Sequence, residues 1–158
     1  MRTLITSKRI ILPILLGACL ITRLPFMTSS LPEVDAANFY NALVHGYDIS
    51  LLRPHAPGYP VYMLGAWYFS LVIRDPLSAL TLFSAISGSL AIIPLYLLIQ
   101  RLVGWPYALA GSILFIANPL VWSHSETALS DVPSMALVIL ALWLTVSGRS
   151  NRTAFVSS

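Results

Sequence analysis

The sequence predicts an all-α protein built as a multi-pass transmembrane helical bundle, and both its composition and its charge pattern lead to this class. Hydrophobic residues make up 57% of the chain and charged residues only 9%, whereas a soluble domain has about a quarter of its residues charged. Four stretches carry little or no charge, at 10–27, 76–100, 102–123 and 132–148. Since a helix needs about 20 residues to cross the hydrocarbon core, we expect residues 1–158 to form one unit with about four spanning helices.

The first of these stretches contains Cys19, the chain's single cysteine, which excludes a disulfide framework and a paired-cysteine metal site. Basic residues ahead of an apolar core also fit a cleaved signal peptide, and residues 16–19 resemble a lipoprotein cleavage box. Apolar residues nevertheless continue to Phe26. We therefore interpret the stretch as a spanning helix in which Cys19 is a small packing residue.

A shorter apolar segment, 58–73, decides the predicted topology. As a helix its 16 residues would cover only about 24 Å. Basic residues accumulate on the cytoplasmic side of membrane proteins. If the segment lies in the interface, six basic residues fall inside and three outside, against four and five if it spans. We therefore expect 28–75 to be one outer loop with interfacial helices, and Arg101, Arg149 and Arg152 to face the cytoplasm.

Within this outer loop, residues 31–45 have the pattern of an amphipathic helix that lies on the membrane and ends near Gly46. Ser30 and Glu33 have the spacing of a capping box at its start. One face of the predicted helix is apolar and comprises Ala36, Phe39, Tyr40, Leu43 and Val44. The opposite face comprises Asp35, Asn38, Asn41 and His45. These polar groups suit a hydroxyl-rich ligand, and a merely hydrated surface anchor is the alternative.

The segment RPHAPGYPVY, residues 53–62, follows this helix. Its three prolines restrict the backbone, and Gly58 allows a turn. An aromatic belt at the membrane surface accounts for the tyrosines. It does not account for Arg53 and His55, a cation and a titratable group, which together could hold a phosphate at the depth of the lipid head groups.

A second outer loop, NPLVWSHSETALSDVP at 118–133, carries His124, Glu126 and Asp131. Asp131 has the position of a cap for the helix that follows, which also has a proline near its first turn. Glu126 has no such structural role. Because it lies beside the membrane, we interpret it as a candidate functional group.

Taken in order, these motifs resemble the amino-terminal part of the GT-C superfamily glycosyltransferases, and most closely the dolichyl-phosphate-mannose protein mannosyltransferase group with its bacterial and archaeal relatives. The resemblance extends from about Arg23 to Met135. It is carried by Arg23-x-Pro25, the Glu33 and Asp35 acids, Tyr40, the His55-x-Pro57-Gly58-Tyr59-Pro60-x-Tyr62 run, and the second outer loop.

The resemblance implies inverting transfer of a mannose-like sugar from a polyprenyl-phosphate donor to a hydroxyl acceptor, a protein or a glycan, on the outer face. Asp35 matches the family's catalytic acid, which would be the general base. The family often has two adjacent acids, whereas here Val34 separates Glu33 from Asp35. Glu33 is therefore the second candidate for the base.

The other site residues follow from the same resemblance. Arg53 or His55 would stabilise the departing phosphate, while His124, Glu126 and Asp131 would hold a substrate or tune the base. The residues specify no metal site and no cofactor, although a divalent cation is compatible with these acids. The net charge of +3 is small and scattered, so nucleic acid is not an expected partner.

Two other classes of function stay open at this point. The chain could be a non-catalytic or truncated membrane subunit that binds polyprenyl lipid, or part of a small transporter. Family members have many more spanning helices, so we expect either a piece of a longer reading frame or a short relative that needs partners. In each case we expect an integral, multi-pass membrane protein, located in the plasma membrane if the organism is a prokaryote.

Overall fold

The computed structural model describes residues 2–156 of the chain and the side chains of residues 10–148. Within that part the protein is helical and contains no strand, which confirms the predicted helical membrane bundle. The helices are α1 (Arg2–Arg23), α2 (Val34–His45), α3 (Pro60–Ser70), α4 (Pro76–Leu90), α5 (Ile92–Val103), α6 (Trp105–Ala117), α7 (Pro119–Ser125) and α8 (Asp131–Val156). Two 3₁₀ helices, Leu24–Phe26 and Ile49–Leu51, lie between the longer elements.

Among the described residues, two helical segments are long and apolar enough to cross a membrane: Pro76–Val103, which α4 and α5 form together, and Asp131–Gly148 within α8. Helices α6 and α7 would add a third if the bent pair forms one span, and the apolar helix Ile10–Phe26 is shorter. These segments fall on the four predicted stretches. The number of membrane crossings stays a prediction.

Prolines account for both breaks inside the apolar helices. Pro94 has no N–H group to donate to the carbonyl of Leu90, and the regular helix is interrupted at Ala91, between α4 and α5. Pro119 forces the preceding residue, Asn118, into an extended conformation. The Asn118 side chain then accepts hydrogen bonds from the amides of Leu120 and Val121 at 3.0 and 3.1 Å and so starts α7. The prediction of one unbroken helix over 102–123 is therefore wrong, because α6 and α7 meet at 58°.

Helix α2 confirms the predicted helix over most of 31–45, but the predicted capping box does not form. The helix begins at Val34, and the Glu33 side chain makes no capping hydrogen bond. Pro32 disfavours a helical conformation at the residue before it. Ser30 instead bonds within its own turn, where its amide donates to the Thr28 hydroxyl at 3.2 Å. The helix ends at His45 because Gly46 has a φ of 90°.

The apolar side of α2 packs against protein, whereas the sequence interpretation assigned it to the membrane surface. Ala36, Phe39 and Ala42 are buried in a core shared with α3, α4 and the second outer loop. The other members of this outer core are Tyr62, Met63, Ala66, Leu80 and Ala128. Val44, predicted to be on the apolar face, is exposed. After α2 the chain turns back, and α3 packs against the apolar side of α2.

A second core joins α1 to α5 and α6 and contains Leu15, Cys19, Ile92, Tyr96 and Ala108. Cys19 is fully buried there, as expected for a packing residue. Helix α4 lies between the two cores and buries small residues, among them Ser84 and Gly88. A Cβ atom on Gly88 would come within 2.6 Å of the Ser125 hydroxyl and 2.7 Å of Val132. The small residues of α4 therefore mark close helix packing.

The predicted topology can be tested by cysteine labelling. Helix α3 has 11 residues and covers only about 16 Å, which is short for a membrane crossing. Its interfacial position nevertheless stays a prediction. In a Cys19→Ala background, we expect a membrane-impermeant thiol reagent added outside to label cysteines at Ala56 and Ser123 but not at Val103. All three positions are exposed. Labelling at Val103 from outside would mean that α3 crosses the membrane. The predicted positions of Arg149 and Arg152 concern side chains outside the described residues.

Candidate active site

The structure brings the predicted catalytic acid and one predicted phosphate-binding residue together. The His55 Nε2 atom lies 3.8 Å from a carboxylate oxygen of Asp35 and 3.0 Å from the Tyr59 hydroxyl. The Asp35 side chain is about half exposed (51%), whereas that of His55 is 24% exposed. A solvent-facing carboxylate is thus fixed beside a partly buried imidazole. We call these two residues the Asp35–His55 pair.

A third contact involves the other nitrogen of the His55 ring. The Asn38 amide nitrogen lies 3.4 Å from His55 Nδ1, one turn along α2 from Asp35. With the amide oriented in this way, the nitrogen donates and Nδ1 accepts, so a neutral ring carries its proton on Nε2. That N–H faces the Tyr59 hydroxyl and the Asp35 carboxylate. Nε2 is therefore within hydrogen-bond distance of Tyr59, while Asp35 lies beside it at ion-pair distance only.

The Asp35–His55 pair rests on an aromatic layer centred on Phe39. The Phe39 ring is buried, and its centroid lies 6.1 Å from that of His55, 5.1 Å from Tyr59 and 4.9 Å from Tyr62. The two tyrosines meet it edge to face, a favourable arrangement of aromatic rings. This packing restricts the His55 ring and the start of α3 with respect to α2.

Backbone conformation and hydrogen bonding shape the loop at 53–62. Gly58 has a φ of 92°, and a Cβ atom there would meet the Tyr47 hydroxyl and Ile49. Its amide donates to the His55 carbonyl at 2.9 Å, which closes the turn. The peptide bonds before Pro54 and Pro57 are cis.

Arg53 lies at the end of α2 and not at the Asp35 carboxylate. Its Nη1 atom donates to the His45 carbonyl at 2.9 Å, a favourable position for a cation because helix C-termini carry partial negative charge. Arg53 is partly exposed, so its other guanidinium donors keep access to solvent. Its predicted role in phosphate binding stays a prediction.

The second outer loop contains a similar pair. His124 Nδ1 lies 3.8 Å from a carboxylate oxygen of Asp131. Asp131 is the first residue of α8, where a negative charge favours the helix. The sequence therefore identified two residues that the fold brings together across the α7–α8 turn.

Helix α4 connects the two outer loops. The buried Ser84 hydroxyl lies 3.2 Å from the Tyr62 hydroxyl and donates to the Leu129 carbonyl at 3.0 Å. Burial raises the pKa of Tyr62; the hydrogen bond with Ser84 opposes this rise, and the Asp131 charge adds to it. Tyr62 also contacts Phe39 of α2. The two acid–histidine pairs therefore lie over one continuous outer core.

Glu33 and Glu126 occupy different surroundings. Glu33 is exposed at the start of α2. Glu126 is directed inward, and its Oε1 atom is buried without a hydrogen-bond partner among the described residues. Burial raises the pKa of the Glu126 carboxyl, and the Arg23 guanidinium opposes that rise.

Arg23 and Asn38 carry contacts that sequence reasoning missed. In the sequence Arg23 is only part of a motif, yet its side chain is fully buried. Asn38 was assigned to a polar face without a partner. The sequence signal that could have indicated the burial of Arg23 is its charge at the end of a predicted spanning helix. Within the described residues, no group of three or more His, Cys, Asp or Glu side chains could hold a metal ion.

Comparison with known proteins identifies the family. No curated protein and no solved structure matches the chain. The family model described as dolichyl-phosphate-mannose-protein mannosyltransferase matches residues 53–155. This range contains His55 and the second outer loop and begins after Asp35. Because the match covers more than half of the sequence, the chain belongs to the dolichyl-phosphate-mannose-protein mannosyltransferase family of membrane glycosyltransferases.

Proposed function

We propose that the protein transfers a mannose-like sugar from a polyprenyl-phosphate donor to a hydroxyl group of a protein or glycan on the outer membrane face. The observation that carries this proposal is the Asp35–His55 pair, in which an exposed carboxylate lies 3.8 Å from an imidazole. The pair lies on an aromatic layer whose Tyr62 ring is 5.7 Å from that of Phe83, and Phe83 lines an apolar groove. A lipid-linked donor and a water-borne acceptor could therefore meet there. Membership of the mannosyltransferase family supports the same reaction class.

In the proposed step, Asp35 accepts the proton of the acceptor hydroxyl as that oxygen attacks the anomeric carbon. The bond between this carbon and the donor phosphate oxygen breaks, and the phosphate leaves with the bonding electrons. Attack from the face opposite the phosphate inverts the anomeric centre. His55, 3.8 Å from the carboxylate, contributes a polar ring nitrogen beside it. Arg53, at the same loop, is our candidate for stabilising the departing phosphate.

An apolar groove of about 370 Å³ gives the lipid chain a place to lie. Val61 and Pro133 line it, each two residues from a site residue, Tyr59 and Asp131 respectively. It continues along α4, α5 and α8 to Pro94 and Leu140, and Ser87 is the only polar residue among those that line it. We propose that the first isoprene units of the donor occupy this groove.

The donor can be tested with the protein in liposomes and two radiolabelled substrates, a polyprenyl-phosphate mannose and a nucleotide-linked mannose. We expect label to reach the acceptor only from the lipid donor. Donor binding without transfer would favour a non-catalytic lipid-binding subunit. Absence of binding would contradict the proposal and favour a transporter or scaffold.

Two matched variants on α8 test whether the lipid chain occupies the groove. Ala136→Trp should fill the groove and raise the KM for a long-chain donor by about tenfold, the effect of losing two buried methylene groups. A short-chain donor should be less affected. Val138→Trp is the control, since Val138 is exposed and does not line the groove. Equal KM changes in both variants would contradict occupation of the groove by the lipid chain.

A further inference from the structure

The fully buried Arg23 is a cation at the end of α1 that lacks a complete set of partners. Its Nε atom donates to the Ser125 hydroxyl at 3.2 Å, and Nη1 donates to the Cys19 carbonyl at 3.4 Å. Its Nη2 atom is buried without a partner among the described residues. A buried charge is costly unless it is paired and hydrogen-bonded, so an opposite charge nearby would stabilise it.

Glu126 is the acid that meets this requirement. It follows Ser125, the residue that Arg23 contacts, and its Oε1 atom is also buried without a partner among the described residues. The two side chains thus contribute one unsatisfied donor and one unsatisfied acceptor, of opposite charge, to the same region. The two groups are not in direct contact, and one bridging water could satisfy both.

Three further contacts join the same two chain segments. The Thr28 amide donates to the Glu126 carbonyl at 2.9 Å, and the Trp122 indole N–H donates to the Thr22 carbonyl at 2.6 Å. The ring of Trp122 also meets Phe26 edge to face at 5.7 Å. The end of α1 is therefore attached to the second outer loop, which carries His124 and Asp131.

We propose that Arg23 and Glu126 form a buried charge pair that positions the second outer loop, so that Glu126 is a positioning residue and not a substrate ligand. The consequence for sugar transfer rests on the proposed function, because it assumes that His124 and Asp131 contact a substrate. The positioning itself does not depend on it. Removing one charge leaves the other buried and uncompensated, which is far more damaging than removing both.

Amide hydrogen exchange of residues 122–130 in the purified protein tests this without any substrate. Arg23→Gln and Glu126→Gln should each accelerate exchange in this segment by about a hundredfold, the effect expected for an uncompensated buried charge. The double variant should exchange more slowly than either single variant. Arg74→Gln is the matched control, since Arg74 is exposed, and it should leave the segment unchanged.

Two results would overturn the proposal: single variants that behave like Arg74→Gln, or a double variant whose acceleration equals the product of the two single effects. If Arg23→Gln does not accumulate as folded protein, adding Glu126→Gln to it should restore accumulation, and failure of this rescue would equally reject the pair. Normal exchange together with absent transfer would count against the proposed function alone.

Discussion

Asn in place of Asp35 is expected to lower the rate of sugar transfer by about 10²- to 10⁴-fold, the usual cost of losing a general base. The substitution keeps the shape of the side chain but removes its capacity to accept a proton at neutral pH. Binding of the lipid donor should be nearly unchanged, because Asp35 is placed to act on the acceptor hydroxyl. Single-turnover transfer and donor binding, measured on the same preparation, separate the two effects.

Glu33→Gln is the matched control for this variant. Glu33 is an exposed acid at the start of the same helix, and it is the second candidate for the base. If Asp35→Asn transfers at the normal rate and Glu33→Gln does not, the base is Glu33. Normal transfer by both variants would exclude Glu33 and Asp35 as the base.

Truncation of Phe39 to Ala should destabilise the outer core by about 3–5 kcal/mol, as for other large-to-small changes at buried aromatic positions. Its ring meets His55, Tyr59 and Tyr62 at once, so the cavity would lie directly under the Asp35–His55 pair. We expect amide exchange in α2 to accelerate by at least a hundredfold, since about 1.4 kcal/mol corresponds to a factor of ten.

Two variants make this prediction specific. Phe39→Leu keeps most of the volume and should cost less than Phe39→Ala. Val44→Ala removes an apolar side chain from the exposed side of the same helix and should have little effect. Equal exchange in Phe39→Ala and Val44→Ala would mean that the aromatic layer does not hold α2 in place.

The sequence predicted the helical class and the main apolar segments because these depend on local composition. The bend at Asn118 was also a local property: Pro119 excludes a helical residue before it and lacks an N–H group. The late start of α2 has the same kind of cause at Pro32. Both errors arose from giving hydrophobic pattern more weight than the prolines.

The site was predicted only in part. Asp35 and His55 were identified from residue type and order, as were His124 and Asp131, but no local rule predicts that each acid meets its histidine. Those contacts depend on the loop between α2 and α3 folding back over α2 and on the α7–α8 turn. The burial of Arg23 was equally inaccessible, because its partner Ser125 lies 102 residues further along the chain.

Ser84 gives both outer loops a common attachment to α4, through Tyr62 on one side and the Leu129 carbonyl on the other. Helices respond to changes in bilayer thickness by tilting, and α4 belongs to the longest apolar segment of the described chain. A tilt of α4 would carry both acid–histidine pairs in the same direction. The distance between the two pairs would therefore not change with the lipid composition of the membrane, whereas the height of both pairs above the membrane would.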